Sequence, residues 1–107
     1  MQLDTMERLK VLEILPKEGD FVNLKLIRKA REALSFSNEE ILALNLKTIK
    51  DGDQQQTTWN PEAGAVQKDI ELGEVVTIMV VDALKKLNDE KKLTEAQFSL
   101  YEKFIES

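Results

Sequence analysis

Three features of the sequence predict an α+β fold that is mainly helical. A long apolar stretch over 73–88 suits a central helix, two segments carry the same helix-start motif, and residues 46–72 have the residue types of a small antiparallel sheet. We therefore expect about five helices packed around the central helix, with two or three strands from 46–72. The 107 residues fit a single compact domain, 1–107.

The central stretch 73–88, GEVVTIMVVDALKKLN, is rich in β-branched residues, so a buried strand is the competing interpretation. Its length and its amphipathic second half favour a helix. On a helical wheel the apolar arc consists of Leu72, Val75, Val76, Ile78, Met79, Val80, Ala83, Leu84 and Leu87. The remaining stripe consists of Glu74, Thr77, Val81 and Lys85. Because this stripe is narrow, we expect neighbours to cover most of the helix.

A first helix is predicted over 3–15, and a strand over 9–15 is the alternative. Its apolar residues are Leu3, Met6, Leu9 and Leu12, spaced by threes, widened by Val11 and Leu15. Pro16 and Gly19 then interrupt the chain, and Asp20 is placed to cap a second helix over 21–34. The apolar arc of that helix is Val22, Leu26, Ile27, Ala30, Ala33 and Leu34.

The segment Phe36-Ser37-Asn38-Glu39-Glu40-Ile41 has the pattern of a capped helix start. Ser37 is suited to cap the helix, and Glu40, three residues later, is suited to return a hydrogen bond to the cap. Phe36 and Ile41 occupy the positions of a hydrophobic staple across this first turn. The motif predicts a helix over 38–45.

The same motif recurs at Leu93-Thr94-Glu95-Ala96-Gln97-Phe98, with Thr94 as the cap and Gln97 as its partner. It predicts a last helix over 95–105. One face of this helix carries Phe98, Tyr101 and Ile105, with Leu100 and Phe104 nearby. The short connection from the central helix predicts that the two pack as an antiparallel helical hairpin.

The region 46–72 is the one that does not have helical periodicity. Residues 46–50 and 57–60 are predicted strands of a hairpin, with Asp51-Gly52 supplying the turn in a loop longer than the tight Asp-Gly type. Residues 69–72 are a candidate third strand leading into Gly73. We expect the resulting sheet to face solvent on one side.

The composition narrows the possible chemistry, because the chain has no cysteine and no histidine. Disulfides, thiolate nucleophiles, Cys/His metal sites and imidazole acid–base catalysis are excluded. No carboxylate pattern indicates a catalytic pair or a metal loop, so we predict no enzyme activity, no cofactor and no metal. The net charge of −5 argues against nucleic acid as a partner. With no signal peptide or apolar run of about 20 residues, we expect a cytoplasmic protein that does not bind membranes.

Two features are candidate binding sites. The second helix presents a basic face of Lys25, Arg28 and Lys29, with Arg31 at its edge, suited to a phosphate, a nucleotide or an acidic protein surface. The alternative is a solvated helix face with pairs such as Arg28 to Glu32. The second feature is the only tryptophan, Trp59, with its neighbour Asn60.

Trp59 is either a binding anchor in a loop or a cover for the core of a small sheet. Both interpretations are compatible with the sequence around it, TTWNP. A single tryptophan beside a small sheet is more often a core cover, so its position in the fold decides between them.

Two runs, ILPKEGDFVNLKLIRKAREALSFSNEE and DIELGEVVTIMVVDALKKLNDEKKLTEAQFSLYEKF, resemble small uncharacterised proteins encoded by tailed bacteriophages. The resemblance covers most of the chain and implies the cytoplasm of an infected bacterium. It implies a non-enzymatic interaction protein that binds, and in one version inhibits, a host defence or regulatory protein. Two alternatives are a homo-oligomer that sequesters a nucleotide signal and a minor structural or assembly protein of the virion.

Overall fold

The computed structural model describes residues 1–106, and it confirms a mainly helical α+β fold. In chain order the elements are β1 (Gln2–Leu3), α1 (Thr5–Ile14), α2 (Phe21–Leu34), α3 (Asn38–Leu44), β2 (Lys47–Asp51), β3 (Gln54–Thr58), α4 (Pro61–Gly64), β4 (Lys68–Asp69), α5 (Glu74–Asp89), α6 (Glu95–Tyr101) and a C-terminal π-helical turn (Glu102–Glu106). Within the described residues the four strands form two separate antiparallel pairs, β2–β3 and β1–β4.

The predicted central helix is α5, and its buried line is the predicted one. Val76, Val80 and Leu84 recur every four residues and are almost fully buried. They join a core whose other buried members are Leu3, Val11, Leu15, Ile27, Ala30, Leu34, Ile70 and Leu100. α5 packs against α1, α2 and the π-helical turn. The alternative of a buried strand over this stretch is therefore wrong.

The expectation that neighbours cover most of α5 is also wrong. Val75 is exposed, and 54% of the surface of Ile78 is exposed, although both lie on the predicted apolar arc. The helices that cover α5 contact its Val76–Val80–Leu84 side, and Val75 and Ile78 point away from that side. The predicted arc was too wide because helical spacing shows which residues share a side but not how far the neighbouring helices reach around it.

α1 is a helix as predicted, and Leu3, Val11 and Leu15 are buried as expected, but its buried side also includes charged residues that were not predicted. Met6 is exposed, whereas Thr5, Glu7 and Arg8 are buried together with Val11. The physical reason is that ionic partners inside the fold satisfy Glu7 and Arg8, so these charged side chains do not need solvent. A strand over 9–15 does not form.

α2 begins at the predicted cap, where the Asp20 carboxylate accepts a hydrogen bond from the Asn23 amide at 2.8 Å. Ile27, Ala30 and Leu34 are buried as expected. Val22, predicted on the same arc, is exposed. The fully buried residues of α2 begin at Ile27, so the start of the helix lies outside the core. On another side of α2, Lys25, Arg28, Lys29 and Glu32 are exposed.

α3 and α6 begin at the two predicted motifs. Glu40 accepts a hydrogen bond from the Ser37 amide at 3.1 Å, and Gln97 accepts one from the Thr94 amide at 3.0 Å. The predicted packing of the last helix against α5 holds only for its C-terminal end: α6 packs mainly against α1, and the π-helical turn, most of which lies within the predicted 95–105, packs against α5. This docking buries Leu100 and leaves Phe98 59% exposed, contrary to the predicted face.

The predicted hairpin is present as β2–β3, but its loop is shorter than expected. Asp51 pairs with Gln54, so only Gly52 and Asp53 connect the strands. Gly52 has a φ of 65°, the left-handed value that a tight hairpin turn requires and that glycine accepts without strain. The predicted third strand is reduced to β4, which pairs with β1 and not with the hairpin.

Candidate functional site

All four predicted basic residues line a single concavity of about 590 Å³ along α2. We call this the α2 surface: Lys17, Phe21, Leu24, Lys25, Arg28, Lys29 and Arg31. Lys25, Arg28 and Lys29 are exposed, and Arg31 is half-buried. The helical repeat places them together, since residues three and four apart lie on the same side of a helix.

The cations of the α2 surface have no ionic partner in the described part of the chain. Five of the 15 Lys and Arg residues line this concavity, and Glu32 is the one carboxylate beside them. No salt bridge joins any of the five to a carboxylate, so the alternative Arg28–Glu32 pair does not form. In a chain of net charge −5 this leaves a local excess of positive charge directed at solvent.

The α2 surface also has an apolar component that sequence periodicity did not reveal. Phe21, the first residue of α2, is 81% exposed, and half-buried Leu24 lies one turn further along the same side. An exposed aromatic ring is a large apolar area left in contact with water. The surface therefore offers both charge and hydrophobic contact to a ligand.

Trp59 and Asn60 lie elsewhere, beside another concavity of about 500 Å³ that has no lining residue in common with the α2 surface. Trp59 is half-buried, and its indole lies so close to buried Gly64 that a Cβ at Gly64 would overlap the ring. The Asn60 Oδ1 accepts hydrogen bonds from the amides of Glu62 and Ala63, which caps α4. Both residues thus have structural roles around α4.

Replacing Gly64 with alanine is expected to destabilise the fold by about 1–3 kcal/mol, because the added methyl group must displace the Trp59 ring. Urea unfolding followed by the fluorescence of Trp59 measures the change. The matched control is Gly19→Ala, whose nearest neighbour is the Asn23 Cβ at 3.9 Å. Equal stability of the two variants would show that Trp59 does not pack on Gly64.

Among the described residues Arg8 is the one buried lysine or arginine, and no sequence pattern indicated it. It is 3% exposed. Its Nη1 donates to Glu40 Oε2 at 2.6 Å, its Nη2 to the Ser35 carbonyl at 2.6 Å and its Nε to the Leu34 carbonyl at 3.2 Å. The guanidinium also lies 3.9 Å from the centre of the Phe36 ring. Arg8 therefore joins α1 to the end of α2 and to α3.

A concavity of about 590 Å³ borders this cluster between α3 and α4. Its wall includes both Arg8 and Glu40. The donors of Arg8 are directed at partners within the fold, so the cluster is suited to holding helices together.

Glu40 receives hydrogen bonds on both carboxylate oxygens. The Arg8 hydrogen bond is the largest cause of a lowered pKa, burial opposes it, and the Ser37 amide and Lys68 ammonium, 3.2 Å away, add to the lowering. Together they lower the pKa of Glu40 to about 2 from an ordinary 4.5. Glu40 remains ionised throughout the neutral and mildly acidic range.

Acidification is expected to remove the stability that Glu40 contributes. Because its folded pKa is depressed, the contribution is complete above pH 4.5 and is lost as the pH falls towards about 2. For this partly exposed carboxylate we expect roughly 2 kcal/mol, discounted for solvent screening. The free energy of unfolding of the wild type and Glu40→Gln, compared across this range, measures it. A difference that does not change with pH would contradict the assignment.

Glu7 forms a second ion pair, with Lys103, that was not predicted from the sequence. Its Oε1 accepts from Lys103 Nζ at 2.7 Å and from the Asp4 amide at 3.0 Å, and the latter completes a capping box at the start of α1. Burial raises the pKa of Glu7, but hydrogen bonds from Lys103, Asp4 and Ser99 outweigh it and lower the pKa overall. The spacing Asp4-x-x-Glu7 was a sequence signal for the cap, whereas nothing indicated Lys103.

Comparison with protein-family models, with curated proteins and with solved structures finds no match. No residue role can therefore be transferred to this chain. Within residues 1–106, none of the helices combines the length and apolar character needed to cross a membrane. The α2 surface is the candidate binding site on its own chemistry, since its charged groups are directed outward.

Proposed function

We propose that the protein is a non-enzymatic interaction protein whose α2 surface binds an acidic, amphipathic segment of a partner protein. The observation that carries the proposal is the combination of unpaired cations with exposed Phe21 in a chain of net charge −5. A solvated helix face would be expected to pair Arg28 with Glu32 and to keep aromatic residues buried. The α2 surface does neither.

The chemistry of the α2 surface defines the segment that would bind. Carboxylates of the partner would accept hydrogen bonds from Lys25, Arg28 and Lys29, and an apolar side chain would cover Phe21 and Leu24. An amphipathic helix with acidic and aliphatic residues on one side presents both groups within two turns. The charges would also accelerate association, because the partner is attracted to a locally positive surface on an acidic protein.

The resemblance to tailed-phage proteins suggests where the protein acts and what kind of partner it binds. In the cytoplasm of an infected bacterium the partner would be a host defence or regulatory protein, which binding would inhibit. The chemistry of Glu7 and Glu40 also favours a non-enzymatic role. Both pKa values are lowered, whereas a general acid or base is usually tuned towards neutral pH.

A charge-reversal experiment tests the proposal. The probe is a synthetic helical peptide with glutamate and leucine on one side, titrated by calorimetry into the wild type and into the triple variant Lys25→Glu/Arg28→Glu/Lys29→Glu. We expect the triple variant to bind at least about tenfold more weakly, and salt to weaken binding to the wild type.

The matched control is Lys85→Glu/Lys86→Glu/Lys92→Glu, which reverses three exposed cations outside the α2 surface. It changes the net charge by the same amount and is expected to retain most of the affinity. Equal losses in the two variants would mean that net charge, and not the α2 surface, controls binding. No binding to the wild type would contradict the proposal.

A second candidate function is favoured by Arg28 and Arg31, which lie three residues apart in the same concavity. Two guanidinium groups at this spacing are suited to phosphate oxygens, as in a protein that sequesters a nucleotide signal. Titration with nucleoside triphosphates and cyclic dinucleotides distinguishes this function, because a ligand of the native state must raise its melting temperature. A nucleotide that stabilises the wild type but not Arg28→Glu would favour sequestration.

A further inference from the structure

The β2–β3 hairpin has little cover, and Thr57 and Thr58 are the half-buried residues among those of its strands that the structure describes. Residues 47–50 and 54–56 are exposed on both faces of the two strands, and Ile49 is among them. Among the described elements, β2 and β3 pack closely against each other, and no helix packs extensively on them. A two-stranded ribbon without a covering layer is only marginally stable in water. Its outer edges also leave main-chain amide and carbonyl groups without strand partners.

The two outer edges of the hairpin differ in charge. β2 carries Lys47 and Lys50, and lysine on an edge strand discourages pairing with another strand. β3 has the sequence QQQTT and no charged residue over Gln54–Thr58. The edge of β3 therefore lacks the protection that the edge of β2 has.

We propose that the edge of β3 pairs antiparallel with the β3 strand of a second copy of this chain. The product is a continuous four-stranded sheet in the order β2–β3–β3–β2. With the two-fold axis at Gln56, Gln56 lies opposite the partner subunit's Gln56, and Gln55 lies opposite the partner subunit's Thr57. The remaining pair is Gln54 with the partner subunit's Thr58.

A second copy fits this edge because the pairing is self-complementary in charge. Each cross-strand pair joins uncharged glutamine or threonine side chains, which form hydrogen bonds across a sheet, and no like charges face each other. The antiparallel arrangement also places the two helical bodies at opposite ends of the sheet, where they do not compete for space. A seam of five residues buries a small area, so the dimer is expected to be weak and concentration-dependent.

Sedimentation equilibrium over protein concentrations up to about 1 mM tests the proposal, since association this weak is detectable only at high concentration. We expect the wild type to shift from monomer to dimer. Gln56→Lys and Gln56→Glu should each remain monomeric, because each places like charges opposite one another at the two-fold axis. An equimolar mixture of the two variants should form a dimer again, because the charges then attract.

The matched control is Thr48→Lys, which adds the same charge to β2, one strand away from the seam. It is expected to dimerise like the wild type. A wild type that remains monomeric at the highest concentration would overturn the proposal. So would a dimer that Gln56→Lys leaves intact, or a mixture of the two Gln56 variants that stays monomeric.

Discussion

Val80→Asp is expected to abolish folding. Val80 is 1% exposed in the middle of α5, between Val76 and Leu84 on the buried line. A carboxylate there would have no partner, and burying an unpaired charge costs several kcal/mol out of a total stability of about 5–15 kcal/mol. Circular dichroism and thermal unfolding measure the outcome.

Lys85→Ala is the matched control on the same helix. Lys85 is exposed, and its replacement is expected to change the stability by no more than about 0.5 kcal/mol. If Val80→Asp kept the native spectrum and a cooperative melting transition, α5 would not be the centre of the core. A stable Lys85→Ala variant would show that loss of folding in Val80→Asp comes from the buried charge and not from a general sensitivity of α5 to substitution.

Arg8→Met is expected to destabilise the fold by about 3–5 kcal/mol, because it removes one partner of a buried ion pair. Methionine fills a similar volume but cannot donate hydrogen bonds. Glu40 would keep one ionic partner, Lys68, and the carbonyls of Leu34 and Ser35 would lose the hydrogen bonds from Arg8. The free energy of unfolding from urea denaturation measures the loss. The effect should be larger at neutral pH than near pH 2, where Glu40 becomes protonated.

The control for Arg8 is Lys10→Met on the same helix. Lys10 forms an ion pair with exposed Glu13 at 3.3 Å, and pairs of this kind contribute about 0.5 kcal/mol or less. Similar losses in the two variants would contradict the assignment of Arg8 as the group that joins α1, α2 and α3. A loss confined to Arg8→Met would support it.

Local signals allowed the helix starts and the type of α5 to be predicted. Asp20, Ser37 and Thr94 each act within three residues of their own position, so a capping motif contains almost all of the information it needs. The tight turn at Gly52 is also local. Its loop length was misjudged because the strand residues on either side are polar and give no alternation to fix the register.

Distant partners could not be predicted from the sequence. Arg8 can be buried because Glu40, 32 residues away, accepts a hydrogen bond from it, and Glu7 can be buried because Lys103, 96 residues away, donates one to it. A charged residue on a helix is normally expected at the surface, so the burial of Glu7 and Arg8 on α1 was not predicted. The two-residue strands β1 and β4 are too short to have a periodic pattern, and their pairing joins residues far apart in the chain.

The candidate site was predictable in part. The cluster of Lys25, Arg28, Lys29 and Arg31 follows from helical spacing, and the structure places all four in one concavity. Two facts required the structure: that these cations lack carboxylate partners, and that Phe21 is exposed beside them. Trp59 and Asn60 were candidates because a tryptophan in a loop can anchor a partner, and their contacts around α4 are those of the alternative, a structural role.

The most direct test of the proposed function is an amide chemical-shift titration of the ¹⁵N-labelled protein with the glutamate–leucine peptide. If the α2 surface binds acidic segments, the largest shift changes will lie in residues 17–32 and will decrease as salt is added. Changes centred on the hairpin or on Trp59, or no changes at saturating peptide, would contradict the assignment of the α2 surface as the binding site.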